Sequence, residues 1–450
     1  MRLTAATAWL WVALCCTGAE PPPPGDAPLA DPPLVTVRRV DGQDCTGQVQ
    51  TLGDGELVIT QRGDGGASGR VVRVPLVDVI DVRWRRAVPD SADAPRGDAA
   101  AEGASVWDVP SVHASSAGMP AVVVLSGGDR LMGRIADPSG DDVLRLEHTA
   151  LGSVQLDLLE VDRVVMDRAL RMNDPADAVA TDGRDSDAVR LANGDVLTGF
   201  VTRVESEVVL LGVDDQTRRI ELDRVASIVF SGGSADRKRA GGIDVQLVDA
   251  SRLTVGRPRI GGGVLSCLWM GSVVRIPLDV IAVLRMRGGR WRPATARRVI
   301  EARHTPMLSV GYEHRIDRNA LGRVLRVDGQ SFDNGIGVHS PSRLVFGIQP
   351  DDALFVTRMG LDEAAGELAD VVARIELDGV RVFEGRFAGR SALHHVVRVP
   401  VAGHHRLTLA VEAGRNGGVQ GCFNWIEPGF IAARDSRINP VAPSRPGHAP

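Results

Sequence analysis

The chain reads as an all-β, multidomain protein: repeated small β-barrel-like units followed by a β-sandwich. Three observations lead to that expectation. Apolar residues alternate with polar ones over short runs, the period of a half-buried strand. Gly, Asn and Asp cluster between the runs, where tight hairpin turns need residues that tolerate positive φ. One such unit recurs four times, and internal repetition has to be read before any single motif.

The 450-residue length calls for several domains, since single cores stop growing near about 250 residues. The start reads as an export signal over 1–19. Arg2 precedes an apolar run from Ala5 to Cys16, and Thr17-Gly18-Ala19 offer small residues before Glu20. The run falls short of the roughly 20 apolar residues that cross a bilayer. A lipoprotein signal ending at Cys15 or Cys16 is the alternative, although neither follows the usual small residue. No later segment is apolar enough for a transmembrane span, so the expected location is secreted, periplasmic or cell surface.

Residues 20–33 form a proline-rich linker. Beyond the signal only Cys45, Cys267 and Cys422 remain, too few for a disulfide framework and without a CxxC pair for zinc. Buried free thiols are expected, one long-range bridge being the alternative. A formal net charge of -5 and an aromatic share of 4% argue against a nucleic-acid partner, which wants basic patches and stacking platforms, and the scarce aromatics also count against a dedicated polysaccharide reader.

The repeats span 34–87, 120–168, 188–231 and 242–290. The clearest lead runs from Val189 through Asn193-Gly194-Asp195 to Val201. Val122 to Ile135, Val37 to Val49 and Val245 to Val255 match it. Each copy closes with a run that aligns without gaps: Val74 to Trp84, Leu156 to Met166, Ile220 to Phe230, and Ile276 to Met286. Two strands flank each turn. A glycine at 47, 133 and 199 falls inside the second strand, where it would allow a bend or bulge. About five short strands per unit resemble a small SH3-like or Sm-like barrel. Residues 88–119, rich in Ala, Ser, Asp, Gly and Pro, are expected to be a disordered linker, and 434–450 a disordered tail.

The last domain is expected over 298–433. Leu344, Phe346 and Ile348 share one face of a strand, as do Leu407, Leu409 and Val411. Val371 to Leu377, Asp378-Gly379 and Val380 to Phe383 form a hairpin signature. Strands and turns at this spacing predict a β-sandwich.

The segment Gly335-Ile336-Gly337-Val338-His339-Ser340-Pro341-Ser342, together with Asn424-Trp425-Ile426-Glu427-Pro428, resembles the NPCBM/NEW2 family. These are carbohydrate-binding modules of the type appended to family 98 glycoside hydrolases. The likeness covers roughly Thr305 to Ile431 and implies a galactose-binding-like jelly roll with its ligand in loops at one end. It matches the family's G-x-G-V-H-A-P-S segment with Ser340 in place of Ala. Gly360-Leu361-Asp362-Glu363 matches its G-x-D-D/E lead. The family's closing Asp-His-x-Asp-Trp run is altered here to Gly421, Cys422, Asn424 and Trp425.

The ligand-binding candidates are therefore His339, Asp362, Glu363, Asn424 and Trp425. His339 would donate to a ligand hydroxyl or be a buried ring bonded to backbone. Asp362 and Glu363 would help hold calcium, which wants several hard oxygens, or form a solvated turn. Asn424 keeps hydrogen-bonding capacity without charge. Trp425 would stack on a sugar ring or pack in the core.

No G-x-S-x-G, H-E-x-x-H or P-loop motif occurs, and the pairs His394-His395 and His404-His405 would point to opposite faces of strands. No catalytic residue is assigned. The expectation is an exported, non-catalytic protein binding a glycan or glycoconjugate. The alternatives are an envelope or matrix scaffold with protein partners, and a cryptic glycosidase using two carboxylates.

Overall fold

The computed structural model describes residues 34–61, 69–84, 118–166, 185–214, 216–232, 242–305, 311–389 and 393–434. The expected signal, the proline-rich linker before Pro33, nearly all of 88–119 and the tail beyond 434 lie outside them. The described chain is built from β-strands and short 3-10 turns, and it belongs to one compact unit, Pro33–Pro450.

Each repeat has the same wiring. In the first, Leu34–Arg39 pairs antiparallel with both Cys45–Gly53 and the closing strand Val79–Trp84. Cys45–Gly53 then pairs with Glu56–Gln61, and that with Arg70–Pro75. The other three repeats reproduce this order. A 3-10 turn precedes every closing strand, at Leu76–Asp78, Leu158–Glu160, Leu222–Arg224 and Leu278–Val280. The gapless match of the closing sequences is thus a match of local structure.

Turn chemistry explains the leads. Gly42, Gly128 and Gly194 take φ of +80°, +86° and +95° at the first hairpin, and the fourth repeat puts Ala250 there at +70°. The in-strand glycines have a different cause. A Cβ at Gly47, Gly133 or Gly199 would lie 2.5, 2.7 or 2.3 Å from the carbonyl oxygen of Thr60, Glu147 or Gly212 on the neighbouring strand. Close backbone approach, rather than special φ, requires glycine there; register shifts follow beyond Val49 and Val201.

Closing strands pair across repeats. Val79–Trp84 of the first meets Ile281–Met286 of the fourth, with Val82 opposite Leu284. Val161–Met166 of the second meets Val225–Val229 of the third, with Val164 opposite Ile228. In both, the fourth residue of each strand faces its own counterpart, so each pair has a local two-fold. One apolar cluster runs through all four repeats, from Val35 and Leu57 through Leu131 and Leu211 to Leu284. Cys45, Cys267 and Cys422 are buried and free.

The C-terminal part is the expected sandwich. One sheet orders Arg315–Ile316, Gly335–His339, Cys422–Ala432, Asp352–Leu361 and His394–Pro400, with Trp291–Pro293 also paired to Cys422–Ala432. The other orders Val299–His304, Ser342–Gly347, Arg406–Ala413, Asp370–Leu377 and Val380–Ala388. Phe346, Phe355, Phe423, Trp425 and Phe430 fill the space between them.

Candidate functional site

The long strand Cys422–Ala432 organises the region, because alternate side chains leave it on opposite faces. Phe423 and Trp425 point into the sandwich core, edge to face with ring centroids 5.4 Å apart. Trp425 is fully buried and offers no ring face to a sugar. Its indole N–H has no hydrogen-bond partner.

Asn424, on the other face, is equally buried, and its amide donates to Asp362 Oδ2 at 2.6 Å. That oxygen also accepts the Arg326 backbone N–H at 3.3 Å, while Oδ1 accepts Asn319 Nδ2 and the Ala364 N–H, both at 2.9 Å. Four donors occupy both oxygens of a buried carboxylate, which leaves little for a ligand or calcium. Asp362 thereby ties the segment carrying Asn319 and Arg326 over the sheet, where Leu325, Val327 and Phe332 pack on Ile426.

Glu363 is exposed and turned away, accepting from Gly329 N–H at 2.8 Å and pairing with Arg326 at 3.0 Å. No group of three or more His, Cys, Asp or Glu among the described residues is placed to hold a metal ion.

His339 lies apart from that network, half-buried at the end of its strand. Its Nδ1 sits 2.8 Å from the Ser340 carbonyl. Its ring stacks on Tyr312 with centroids 4.4 Å apart and planes at 18°, and His304 stands edge-on to both at 6.1 Å. Burial lowers the His339 pKa, opposed by the Ser340 carbonyl and reinforced by His304. A neutral ring facing a carbonyl carries its proton on Nδ1, so Nε2 is an acceptor.

The next residue explains an altered motif. Ser340 Oγ lies 2.1 Å from where a Cβ on Gly421 would be. With Ser at 340 placed this way, a side chain at 421 has no room. Of the candidates, Asp362 and Asn424 come together directly; His339 does not join them. Sequence reasoning missed His304 and Tyr312, although Tyr312 is the chain's one tyrosine.

A second polar assembly joins this domain to the repeats. Glu427, buried and at φ +50°, receives Arg38 and Arg83 from the first repeat and Arg358 from the sandwich. Arg38 and Arg83 also hold buried Asp81, and Asp333 takes Arg285 at 2.5 Å and Arg252 at 2.6 Å from the fourth repeat. Burial opposes the charge of Glu427, but the guanidiniums of Arg38, Arg83, Arg358 and Arg285 outweigh it and hold the carboxyl far below its usual range. Likewise burial raises Asp333, and Arg285 and Arg252 pull it down to about 2. Val40, Ile80, Trp291, Val356 and Ile431 form an apolar patch in the same interface.

One grouping has the residue types of nucleophilic catalysis. His148 Nε2 lies 3.0 Å from Ser251 Oγ and 3.3 Å from Asp249 Oδ2. Its Nδ1, however, accepts the N–H groups of Ala150 and Leu151 at 3.0 and 3.2 Å. The proton must then be on Nε2, the wrong nitrogen for a base toward Ser251. Both side chains are buried, and Ser251 Oγ accepts the Met132 N–H at 2.9 Å. This is a polar joint between the second and fourth repeats. His404, on the surface, pairs with Asp378 at 2.9 Å; the side chains of His394 and His395 lie outside the described residues.

No curated protein matches this chain. Among solved structures it is similar to CBM51 from Clostridium perfringens GH95 in complex with methyl-galactose, with 26% identity, 31% of this chain, 99% of that one and a TM-score of 0.28. It is also similar to CBM51-2 in complex with GlcNAc and INT domains from Clostridium perfringens ZmpB, with 17% identity, 56% of this chain, 46% of that one and a TM-score of 0.30. A third is the tandem CBM51 modules of a family 98 glycoside hydrolase from Streptococcus pneumoniae, with 11% identity, 69% of this chain, 88% of that one and a TM-score of 0.28. The family comparison is confined to the sandwich: within this chain, residues 302–431 match the NPCBM/NEW2 domain.

Proposed function

We propose that this chain is an exported, non-catalytic protein that binds carbohydrate through its C-terminal sandwich. The observation behind the reading is the match of residues 302–431 to the NPCBM/NEW2 domain. The four repeats, which we read as SH3-like barrels, serve as the scaffold on which that domain is mounted. Export rests on the character of residues 1–19 and places the protein outside the cytoplasm. No helix among the described residues is long and apolar enough to cross a membrane.

The test is a glycan array probed with the whole chain. The isolated sandwich is the wrong reagent, because Trp291–Pro293 completes its sheet and Arg38 and Arg83 neutralise its buried Glu427. Saturable binding to any glycan supports the reading; silence from well-folded protein ends it. An assembly role is the second reading, favoured by the strand-edge pairing that already joins repeat to repeat. It predicts a stable oligomer or a reproducible protein partner, and strictly monomeric behaviour without partners would remove it.

A further inference from the structure

Closing strands are not the only junction between repeats. The second repeat also meets the fourth through the edges of their second strands, Arg130–Ala136 and Arg252–Gly261, with Arg130 opposite Arg252. These arginines hold the same place, shortly after the positive-φ turn residues Gly128 and Ala250. Each strand is therefore set against its own counterpart, and the polar contacts obey the same two-fold. The Met132 N–H donates to Ser251 Oγ at 2.9 Å, and the equivalent Thr254 N–H donates to Asp129 Oδ1 at 2.8 Å.

The third repeat has the same edge without an occupant. Its second strand, Val196–Val204, pairs with Asp187–Leu191 on one side, but on the other side only from Phe200 onward. Among the described residues, no strand pairs with the outer edge of residues 196–199. Thr198 lies opposite Ala188 as Met132 lies opposite Val122, so its N–H also points outward. Asp195 stands in the place of Asp129 and Ser251; it is exposed, and its Oδ2 accepts the Asn193 amide at 2.7 Å. Val196 is 49% exposed and Phe200 60% exposed. At those two places the first repeat has Asp44 and Gln48, the second Arg130 and Arg134, and the fourth Arg252 and Gly256. Charge is the usual protection of an open strand edge. The third repeat alone lacks it there and shows apolar surface instead.

We propose that this edge is a dimer interface and that its occupant is a second copy of the chain. Val196 faces its counterpart in the second copy, and the Thr198 N–H of each copy donates to Asp195 of the other, an isologous strand addition. The second copy is the occupant because the chain already makes this pairing between two of its own repeats. A two-fold there also sets Val196 and Phe200 against identical apolar surface. The proposal rests on the assembly reading and gives it a place and a partner. Each dimer carries two sandwich domains, which raises avidity for any ligand displayed in several copies.

Sedimentation of the whole chain over a wide concentration range is the test. The expected result is a monomer–dimer equilibrium. Val196→Asp and Val196→Lys each set like charges opposite one another, and each should weaken the dimer about tenfold or more. Circular dichroism should stay unchanged, because the side chain is exposed. Mixed together, the two variants should recover the dimer, since aspartate then faces lysine. Phe200→Arg, which gives the third repeat the residue of the second, should also weaken it. Val273→Asp, at an exposed valine of the fourth repeat, should leave it intact. A dimer that persists in Val196→Asp, or that the mixture fails to restore, would overturn the site while sparing the assembly reading. A monomer that binds another protein, and loses it in Val196→Asp, would overturn the second copy as occupant. A monomer at every concentration, without any partner, would overturn both readings.

Discussion

The first and fourth repeats pair through their closing strands in the same register as the second and third, yet only the first pairing carries the charged assembly that docks the sandwich. In one, Asp81 faces Arg285 and Arg83 faces Val283; in the other, the same places hold Arg163 opposite Val229 and Val165 opposite Ser227. Backbone geometry is common to both. The difference lies in a few side chains, which turn one pseudo-symmetric face into a seat for Glu427. Repetition supplied the frame, and divergence at its exposed face supplied the attachment. A buried charge network of this kind stabilises little beyond a well-packed apolar patch, but it discriminates strongly, because any other partner leaves charges unpaired.

The largest expected effect comes from breaking that seat. Glu427→Ala leaves Arg38, Arg83 and Arg358 around an empty position and should cost about 3–5 kcal/mol, read by chemical denaturation. A loss below about 1 kcal/mol would mean that the arginines find solvent and that the docking is apolar. Asp362→Ala tests the polar tie within the sandwich. It unpairs Asn424 and three other donors, and should cost about 2–4 kcal/mol by the desolvation of orphaned groups. Hydrogen exchange should then rise over residues 319–332 before it rises in the repeats.

Acid should separate the joints. The neutral His148 between the second and fourth repeats has its pKa lowered below 6.5 by burial, opposed by Asp249. A depressed folded pKa means its stabilisation is present above 6.5 and is lost as pH falls below that value. Glu427 and Asp333 are depressed from 4.5 and 3.8, so their contribution persists above those values and is lost at lower pH. Stability should therefore fall in two windows, the repeat joint first and the sandwich seat second. His148→Gln should remove the upper window alone.

Two smaller changes test what all repeats share. Gly199→Ala drives a methyl against the Gly212 carbonyl and should cost about 1–3 kcal/mol, like other overpacking changes. Ala250→Gly relieves a positive φ found at glycine in the other three repeats and should stabilise by about 1 kcal/mol, seen as a higher melting temperature. An unchanged melting temperature would show that the fourth turn is not strained.

Much of this architecture is legible locally. Strand periodicity, the Asn-Gly-Asp and Asp-Gly turns, and the gapless closing runs all act through near neighbours, so the repeats and the sandwich hairpin could be placed from sequence. The in-strand glycines were legible as special positions, but their cause, a carbonyl on the next strand, was not. The site was less legible still. Trp425 and Asn424 are adjacent letters that leave the strand on opposite faces, one into the core and one toward Asp362. His304 and Tyr312 carry no pattern that sets them beside His339; the antiparallel register does that.

By itself the sequence determined where strands and turns form, because those preferences depend on backbone sterics and a period of two. Only the tertiary structure decided which of four similar edges pair, and that Arg38 and Arg83 reach Glu427, more than 340 residues away in the chain. Such partners are selected by burial and charge complementarity between surfaces, and no short-range pattern encodes that.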